Sequence, residues 1–169
     1  MVALASLTDP AKLATLTSER AANPRLLKCV YWLADARARG LDPAKVISDA
    51  QTTTGDTPAH AALVRDALLR NLKIADGLGL LTADNLALLR RGRSPTVTRG
   101  PYADEPAEVD HILPLSVAPE VGNEIANLEL MPRTINRRKG AKIGPRQLAI
   151  AKELAALGLL APETLRRLQ

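Results

Sequence analysis

Three residues between positions 108 and 142 have side chains suited to phosphate-ester chemistry. Asp110 and His111 stand side by side in VDHILPLS, and Asn136 follows in INRRKG. The Asp110 carboxylate and the Asn136 amide offer hard oxygen ligands, which suit Mg²⁺ or Mn²⁺. A neutral imidazole at His111 could take a proton from an attacking water. The stretch therefore predicts metal-assisted hydrolysis of a phosphate ester.

A basic cluster follows Asn136 and is expected to bind the phosphate backbone of a nucleic acid. Its members are Arg137, Arg138, Lys139 and Lys142. Arg99, in the linker before the stretch, is a further candidate phosphate contact. Plainer interpretations stay open, because NRRKG also suits a solvated helix face and the linker also suits a solvated basic connection.

The local pattern predicts strand, loop, strand and helix in that order. Val109–Leu115 is apolar and β-branched around its polar pair, and Leu128–Met131 is a second short run. Thr134 is expected to cap a helix. Neighbouring residues on a strand point to opposite faces unless the backbone distorts. The helix must also pack across the hairpin for Asn136 to reach Asp110.

The three segments VDHILPLS, ANLELMP and INRRKG, in this order, resemble the motif of HNH (His-Asn-His) endonucleases, whose fold is a ββα-metal finger. The resemblance implies that Asp110 and Asn136 are metal ligands and that His111 is the general base. It also implies that Asn127 constrains the loop between the strands and orients His111. It covers roughly Arg99–Gly144, about a quarter of the chain.

Two departures from the family pattern affect the expected metal. The third motif position is Asn136 rather than His, as in the HNN branch, which favours a hard cation such as Mg²⁺, or Mn²⁺, over zinc or nickel. Cys29 is the only cysteine, so the four-cysteine clamp of many members is missing and no structural zinc is expected. The finger must be held by packing, to which the helices after Gly144 are expected to contribute.

Composition limits the class of protein. The 169 residues carry a formal net charge of +5, which suits a polyanionic partner without requiring one. Abundant Leu and Ala favour helices. One cysteine excludes an internal disulfide. No apolar run is long enough for a membrane span, and Met1–Leu7 lacks the basic residues of a secretion signal. A cytoplasmic protein without a membrane partner is expected.

Capped helix starts recur through the first 93 residues. The predicted helices run from Pro10 to about Ala21, from Asn23 to Gly40, from Asp42 to Gln51, from Thr57 to Gly77 and from Thr82 to Gly92. Met1–Ser6 is expected to be frayed. His60 has no partner pattern and is expected at the surface. Glu108, Glu124 and Glu129 are expected to be solvated acids.

The linker RRGRSPTVTRGPYADEP discourages helix and predicts a boundary. Residues 1–93 are interpreted as a helical scaffold domain whose role the sequence does not reveal. Residues 94–169 are interpreted as a nuclease domain with C-terminal helices and a core motif at 99–144. The expected fold class is mainly α with a small α+β element, the ββα-metal finger.

The leading functional prediction is a metal-dependent endonuclease that hydrolyses phosphodiester bonds in DNA rather than RNA, with one metal ion and His111 as base. One alternative is a module that binds nucleic acid without cutting it, although such a module would not need His111. Another is a toxin-type nuclease with a protein inhibitor. A homodimer is compatible with the sequence, and no recognition motif indicates a preferred nucleotide sequence.

Overall fold

The computed structural model describes residues 1–169 and is mainly helical, with one small antiparallel sheet. The expected fold class is confirmed at that level. In chain order the elements are α1 (Val2–Thr8), α2 (Pro10–Leu13), α3 (Asn23–Ala38), α4 (Pro43–Gln51), α5 (Pro58–Gly77), α6 (Ala83–Arg90), β1 (Ala107–His111), β2 (Leu128–Pro132), α7 (Arg133–Lys139), α8 (Pro145–Ala156) and α9 (Pro162–Leu168). No helix has both the length and the apolar character needed to cross a bilayer.

The predicted starts of α4, α5 and α6 are confirmed by their capping contacts. The side chains of Asp42, Thr57 and Thr82 each accept a hydrogen bond from a backbone N–H in the first turn of the helix that follows. These bonds satisfy amide groups that have no partner within the helix. The short-range signal was therefore sufficient to locate these three helix starts.

Two predictions for the N-terminal segment are wrong. The residues before Pro10 form α1, because Leu4 is buried in the core and anchors the helix by packing. The helix that starts at Pro10 ends at Leu13 instead of continuing to Ala21. The Thr15 hydroxyl donates to the Lys12 carbonyl at 2.7 Å, a local bond that competes with helical backbone pairing.

The sheet pairs β1 with β2 so that Asp110 lies opposite Glu129 and His111 lies opposite Leu128. β1 ends at His111, whereas the sequence predicted a strand to Leu115. The reason is that the backbone N–H of Leu113 donates to the Asn127 side chain at 2.7 Å instead of to a neighbouring strand. The chain therefore leaves the sheet after Ile112, whose own N–H still donates to the Asn127 carbonyl at 2.8 Å.

α7 contacts both strands of the sheet, so the order strand, strand, helix is also a packed unit. The helix begins at Arg133 rather than after a Thr134 cap. Glu105, from the linker, accepts hydrogen bonds from the Thr134 amide at 3.0 Å and from its hydroxyl at 2.5 Å. A carboxylate at a helix N-terminus also interacts favourably with the helix dipole. A distant acid thus supplies the cap.

Buried residues on the two sides of Arg93 share their cores. One cluster contains Leu26 together with Leu128, and another contains Val30 together with Leu130. A polar contact reinforces the packing, because the Asn71 side chain on α5 donates to the Leu128 carbonyl at 2.9 Å and accepts from the Leu130 amide at 2.8 Å. The N-terminal helices therefore support β2 directly.

Candidate active site

A polar cleft of about 450 Å³ lies along β1 and is lined by its residues Glu108 to His111, while β2 contributes none. α7 contributes Asn136 to the cleft. The opposite wall comes from the N-terminal region and consists of Arg20, Asn23, Pro24, Leu27, Gly92 and Ser94. The structure therefore brings Asp110, His111 and Asn136 to one cavity. Four consecutive residues of β1 line it, so side chains from both faces of this strand border the cleft.

His111 is buried at the end of β1, and its ring has a defined orientation. Nε2 lies 2.8 Å from the carbonyl oxygen of Gly122, so Nε2 is the protonated nitrogen that donates. Nδ1 is then the acceptor of the neutral ring. Burial lowers the pKa of His111, and the Gly122 carbonyl and the Asp110 charge oppose this shift without reversing it. The lowered pKa favours the neutral ring, whose free nitrogen can accept a proton.

Asn127 is fully buried behind the cleft and does not line it. Its amide oxygen accepts from the Leu113 N–H, and its amide nitrogen donates to the Leu113 carbonyl at 3.2 Å and to the Val121 carbonyl at 3.3 Å. Val121 directly precedes Gly122, whose carbonyl holds His111. These bonds connect the end of β1 to the loop that orients the imidazole.

Lys139 has a different contact from the one predicted. Its ammonium group donates to Asp110 Oδ2 and, at 2.6 Å, to the His111 carbonyl oxygen, so it points into the site rather than outward toward a phosphate backbone. α7 packs on β1, and the long Lys139 side chain can reach across this contact. The positive charge compensates a carboxylate that is largely shielded from water.

Glu108 holds Asn136 and is not the solvated acid that the sequence suggested. The Asn136 amide nitrogen donates to Glu108 Oε2 at 2.8 Å, and Arg133 Nε donates to Oε1 at 2.9 Å. Burial raises the pKa of Glu108, but these two bonds and nearby arginine charges outweigh burial and place it below its usual value. The i, i+2 spacing of Glu108 and Asp110, which puts both on one strand face, was the signal for this role.

The donor atoms of the cleft suit a hard cation. Asp110 Oδ1 and the Asn136 amide oxygen are hard oxygen donors, and Mg²⁺ needs few protein ligands because it keeps several waters. In the opposite wall, Asn23 Oδ1 is buried without a hydrogen-bond partner. No group of three or more His, Cys, Asp or Glu side chains is arranged to hold a metal. The residues therefore fit a magnesium-type ion, for which Lys139 is a competitor at Asp110.

The remaining predicted phosphate contacts do not line the cleft. Arg137, Arg138 and Lys142 are exposed, and Arg138 and Lys142 border a shallow depression beside α7. The structure does not bring Arg99 to the site, because its guanidinium donates to the Asp76 carbonyl at 3.2 Å near the C-terminal end of α5. Arg99 was grouped with the site because it precedes the motif in the sequence, whereas its side chain is bonded to the end of α5.

Two buried charge clusters lie outside the cleft and were missed. His60 is buried, with Nδ1 2.8 Å from Asp56 and Nε2 3.1 Å from Glu124, and the hydrogen bonds that the ring donates to both carboxylates raise its pKa to about 10. The i, i+4 spacing of Asp56 and His60 was a usable signal. Glu129, also buried, pairs with Arg146 at 2.9 Å. His60, Glu124 and Glu129 are therefore not solvated residues.

Comparison with known proteins does not extend this description. No protein-family model, no curated protein and no solved structure matches the chain. The chemistry of the cleft therefore rests on the residues that line it and on those that orient them.

Proposed function

We propose that this chain is a metal-dependent endonuclease of the HNH type that hydrolyses phosphodiester bonds in DNA. The observation that supports the proposal most strongly is the setting of His111. Its Nε2 is engaged by the Gly122 carbonyl, which leaves Nδ1 as the acceptor of the ring, and His111 lines the cleft together with Asp110 and Asn136. A module that only binds nucleic acid would have no need for a buried, oriented and neutral imidazole.

In the proposed reaction, His111 accepts a proton from a water molecule as the water oxygen bonds to phosphorus. The bond between phosphorus and the leaving sugar oxygen breaks, and that oxygen takes a proton from solvent. The proton on Nδ1 then returns to solvent and restores the neutral ring. Nε2 keeps its own proton throughout, because the Gly122 carbonyl can only accept.

Asp110 and Asn136 would hold the metal, and Mg²⁺ or Mn²⁺ would supply positive charge that stabilises the transferring phosphoryl group. Glu108 fixes the Asn136 amide through its nitrogen, which leaves the amide oxygen available as a ligand. Lys139 neutralises Asp110 when no metal is bound. Arg137, Arg138 and Lys142 are exposed and would contact the DNA backbone outside the cleft. We place the protein in the cytoplasm, where its one free cysteine, Cys29, would stay reduced.

Cleavage of supercoiled plasmid tests this proposal. Wild type and His111→Ala are incubated with Mg²⁺ or Mn²⁺, with and without EDTA, and the topological forms are separated on a gel. We expect nicked circles from wild type and none from His111→Ala or in EDTA. Arg166→Ala is the control, because Arg166 is 71 % exposed on α9 and does not line the cleft.

The binding-module alternative predicts a different result. Wild type would shift plasmid or RNA on the gel without cutting either, with any of the metals. That outcome would remove the proposed roles of His111, Asp110 and Asn136. Circular dichroism of His111→Ala must match wild type, so that a loss of cleavage reports on the base rather than on the fold.

A further inference from the structure

A segment of the N-terminal region is attached to the loop that orients His111. The Asn123 side chain donates to the Ser18 carbonyl at 2.8 Å and accepts from the Ala22 amide at 2.9 Å. Next to Asn123, Gly122 approaches the Glu19 carbonyl so closely that a Cβ on it would lie 2.9 Å away. The connection between α2 and α3 is therefore held directly against the loop behind the candidate base.

Arg20 lies in the middle of this attached segment and borders the cleft. It is exposed and forms no salt bridge or hydrogen bond, so its guanidinium donors are free. Arg25, five residues later, instead donates to the Ser6 and Leu7 carbonyls. Arg20 and His111 line the same cleft, Arg20 from the N-terminal wall and His111 from β1.

Arg20 is the only cationic side chain that lines the cleft, whereas two carboxylates, Glu108 and Asp110, do so. Both carboxylates already have cationic partners, Arg133 and Lys139. An anionic substrate that reaches His111 therefore meets a single uncommitted positive charge. A guanidinium can donate two parallel hydrogen bonds to the oxygens of one phosphate, which a lysine ammonium cannot do.

We propose that Arg20 binds the non-bridging oxygens of the phosphate that is attacked, so that the N-terminal region contributes a catalytic residue to the site. The inference rests on the nuclease function proposed above. It also assigns a task to the α2–α3 connection, namely to place a guanidinium opposite β1. The distribution of negative charge over those oxygens differs between the ground state and the transition state. A guanidinium fixed where the charge develops can stabilise the transition state more than the ground state.

Steady-state cleavage of a fluorescently labelled DNA duplex by the full chain with Mg²⁺ tests this role. Arg20→Ala is compared with Arg20→Lys and with Arg166→Ala, the exposed control on α9. We expect kcat to fall about 100-fold in Arg20→Ala, with KM much less affected. Arg20→Lys should retain part of the rate, because it keeps the charge but not the paired donors. Guanidinium chloride at low millimolar concentration should restore part of the rate of Arg20→Ala and leave the rate of Arg166→Ala unchanged.

The outcomes separate this inference from the nuclease proposal. If wild type does not cut, the nuclease proposal fails and the role of Arg20 fails with it. If wild type cuts and Arg20→Ala cuts within about twofold of it, the nuclease stands and the role of Arg20 is overturned. A slow Arg20→Ala that melts earlier than wild type and does not respond to guanidinium also overturns it, since the residue would then be structural.

Discussion

At the scale of single residues, the neighbours of His111 decide which of its two ring nitrogens carries the proton. A neutral imidazole has one donor and one acceptor nitrogen, and a bonded carbonyl decides which is which. Here the Gly122 carbonyl takes the Nε2 proton, so Nδ1 is the acceptor. Asn127 bonds to the adjacent Val121 carbonyl and so helps to set the position of that loop. The hydrogen bonds of the buried Asn127 amide thus help to orient an imidazole that they do not contact.

Replacing Asn127 with Asp should separate this positioning role from simple stability. Asp keeps an acceptor for the Leu113 amide but loses the donors to the Leu113 and Val121 carbonyls and buries a charge. We expect the free energy of unfolding to fall by about 3 kcal/mol. We also expect the cleavage rate per folded molecule to fall at least tenfold, by misorienting His111. Urea denaturation and plasmid cleavage measure the two effects.

Asn85→Asp is the matched control for Asn127→Asp. Asn85 is also buried, and its side-chain amide likewise bonds to both backbone groups of one residue. It accepts from the Thr96 amide at 2.8 Å and donates to the Thr96 carbonyl at 2.7 Å. Asn85 lies outside the cleft, so Asn85→Asp should lower the free energy of unfolding without lowering the cleavage rate per folded molecule. Equal cleavage rates per folded molecule in the two variants would contradict a positioning role for Asn127.

At the scale of elements, α5 is the platform on which the sheet rests. Asn71 on α5 bonds to β2 backbone groups, and His60 near the start of α5 pairs with Glu124 in the loop before β2. Both contacts hold segments that carry or orient site residues. α7 is held from the other side by Glu105 at its first turn and by Lys139 at its last. The hairpin that carries the site is thus held by α5, which contacts β2, and by α7, which contacts both strands.

The His60 contact predicts a pH-dependent stability. The hydrogen bonds that His60 donates to Asp56 and Glu124 raise its pKa to about 10, above its ordinary value of 6.5. The charged His60 ring therefore contributes stability that is fully present below pH 6.5. This contribution is lost as the pH rises toward 10 and the ring loses its proton. We expect His60→Gln to lower the free energy of unfolding by about 3 kcal/mol at pH 6, because two buried carboxylates lose their cation. The deficit relative to wild type should shrink toward pH 10.

Urea denaturation across this pH range checks that prediction. His111→Ala is the control, because the pKa of His111 is lowered rather than raised. That variant should therefore keep the decline of stability between pH 6.5 and 10 that wild type shows. A constant difference between His60→Gln and wild type at every pH would mean that His60 is not charged in the folded protein.

At the scale of the whole molecule, the shared cores predict one cooperative unfolding unit. Leu26 and Leu128 belong to one buried cluster and Val30 and Leu130 to another, although the linker around Arg93 separates their segments in sequence. We expect thermal unfolding followed by Trp32 fluorescence and by far-ultraviolet circular dichroism to give coincident transitions. We expect a fragment of residues 94–169 to lack ordered structure, because it would expose the surface that packs on α5.

Non-coincident transitions, or a folded fragment 94–169, would contradict this expectation. Either result would mean that the segments before and after Arg93 are stable separately, as the two-domain interpretation of the sequence suggested. The comparison matters for function, since the wall formed by Arg20 and Asn23 faces β1 only while the two segments are packed together.

The sequence alone determined the features that depend on short-range physics. Capping residues located the starts of α4, α5 and α6, and two apolar runs indicated two strands, although the first run extended past the end of β1 to Leu115. The sequence also predicted that Asp110 and His111 lie on a strand and Asn136 on a later helix, for the same reason. Each signal involves neighbours within a few residues, where propensity and hydrogen bonding act without knowledge of the rest of the chain.

Only the tertiary structure decided which distant groups meet at the cleft. Asn123 holds the backbone at Ala22 from 101 residues away and so brings Arg20 to His111. Glu105 caps α7 in place of Thr134, Lys139 turns inward to Asp110, and His60 finds Glu124. No local pattern encodes these contacts, because each depends on how the helices pack. Packing brings together charges and unpaired backbone groups whose burial is costly unless they find partners.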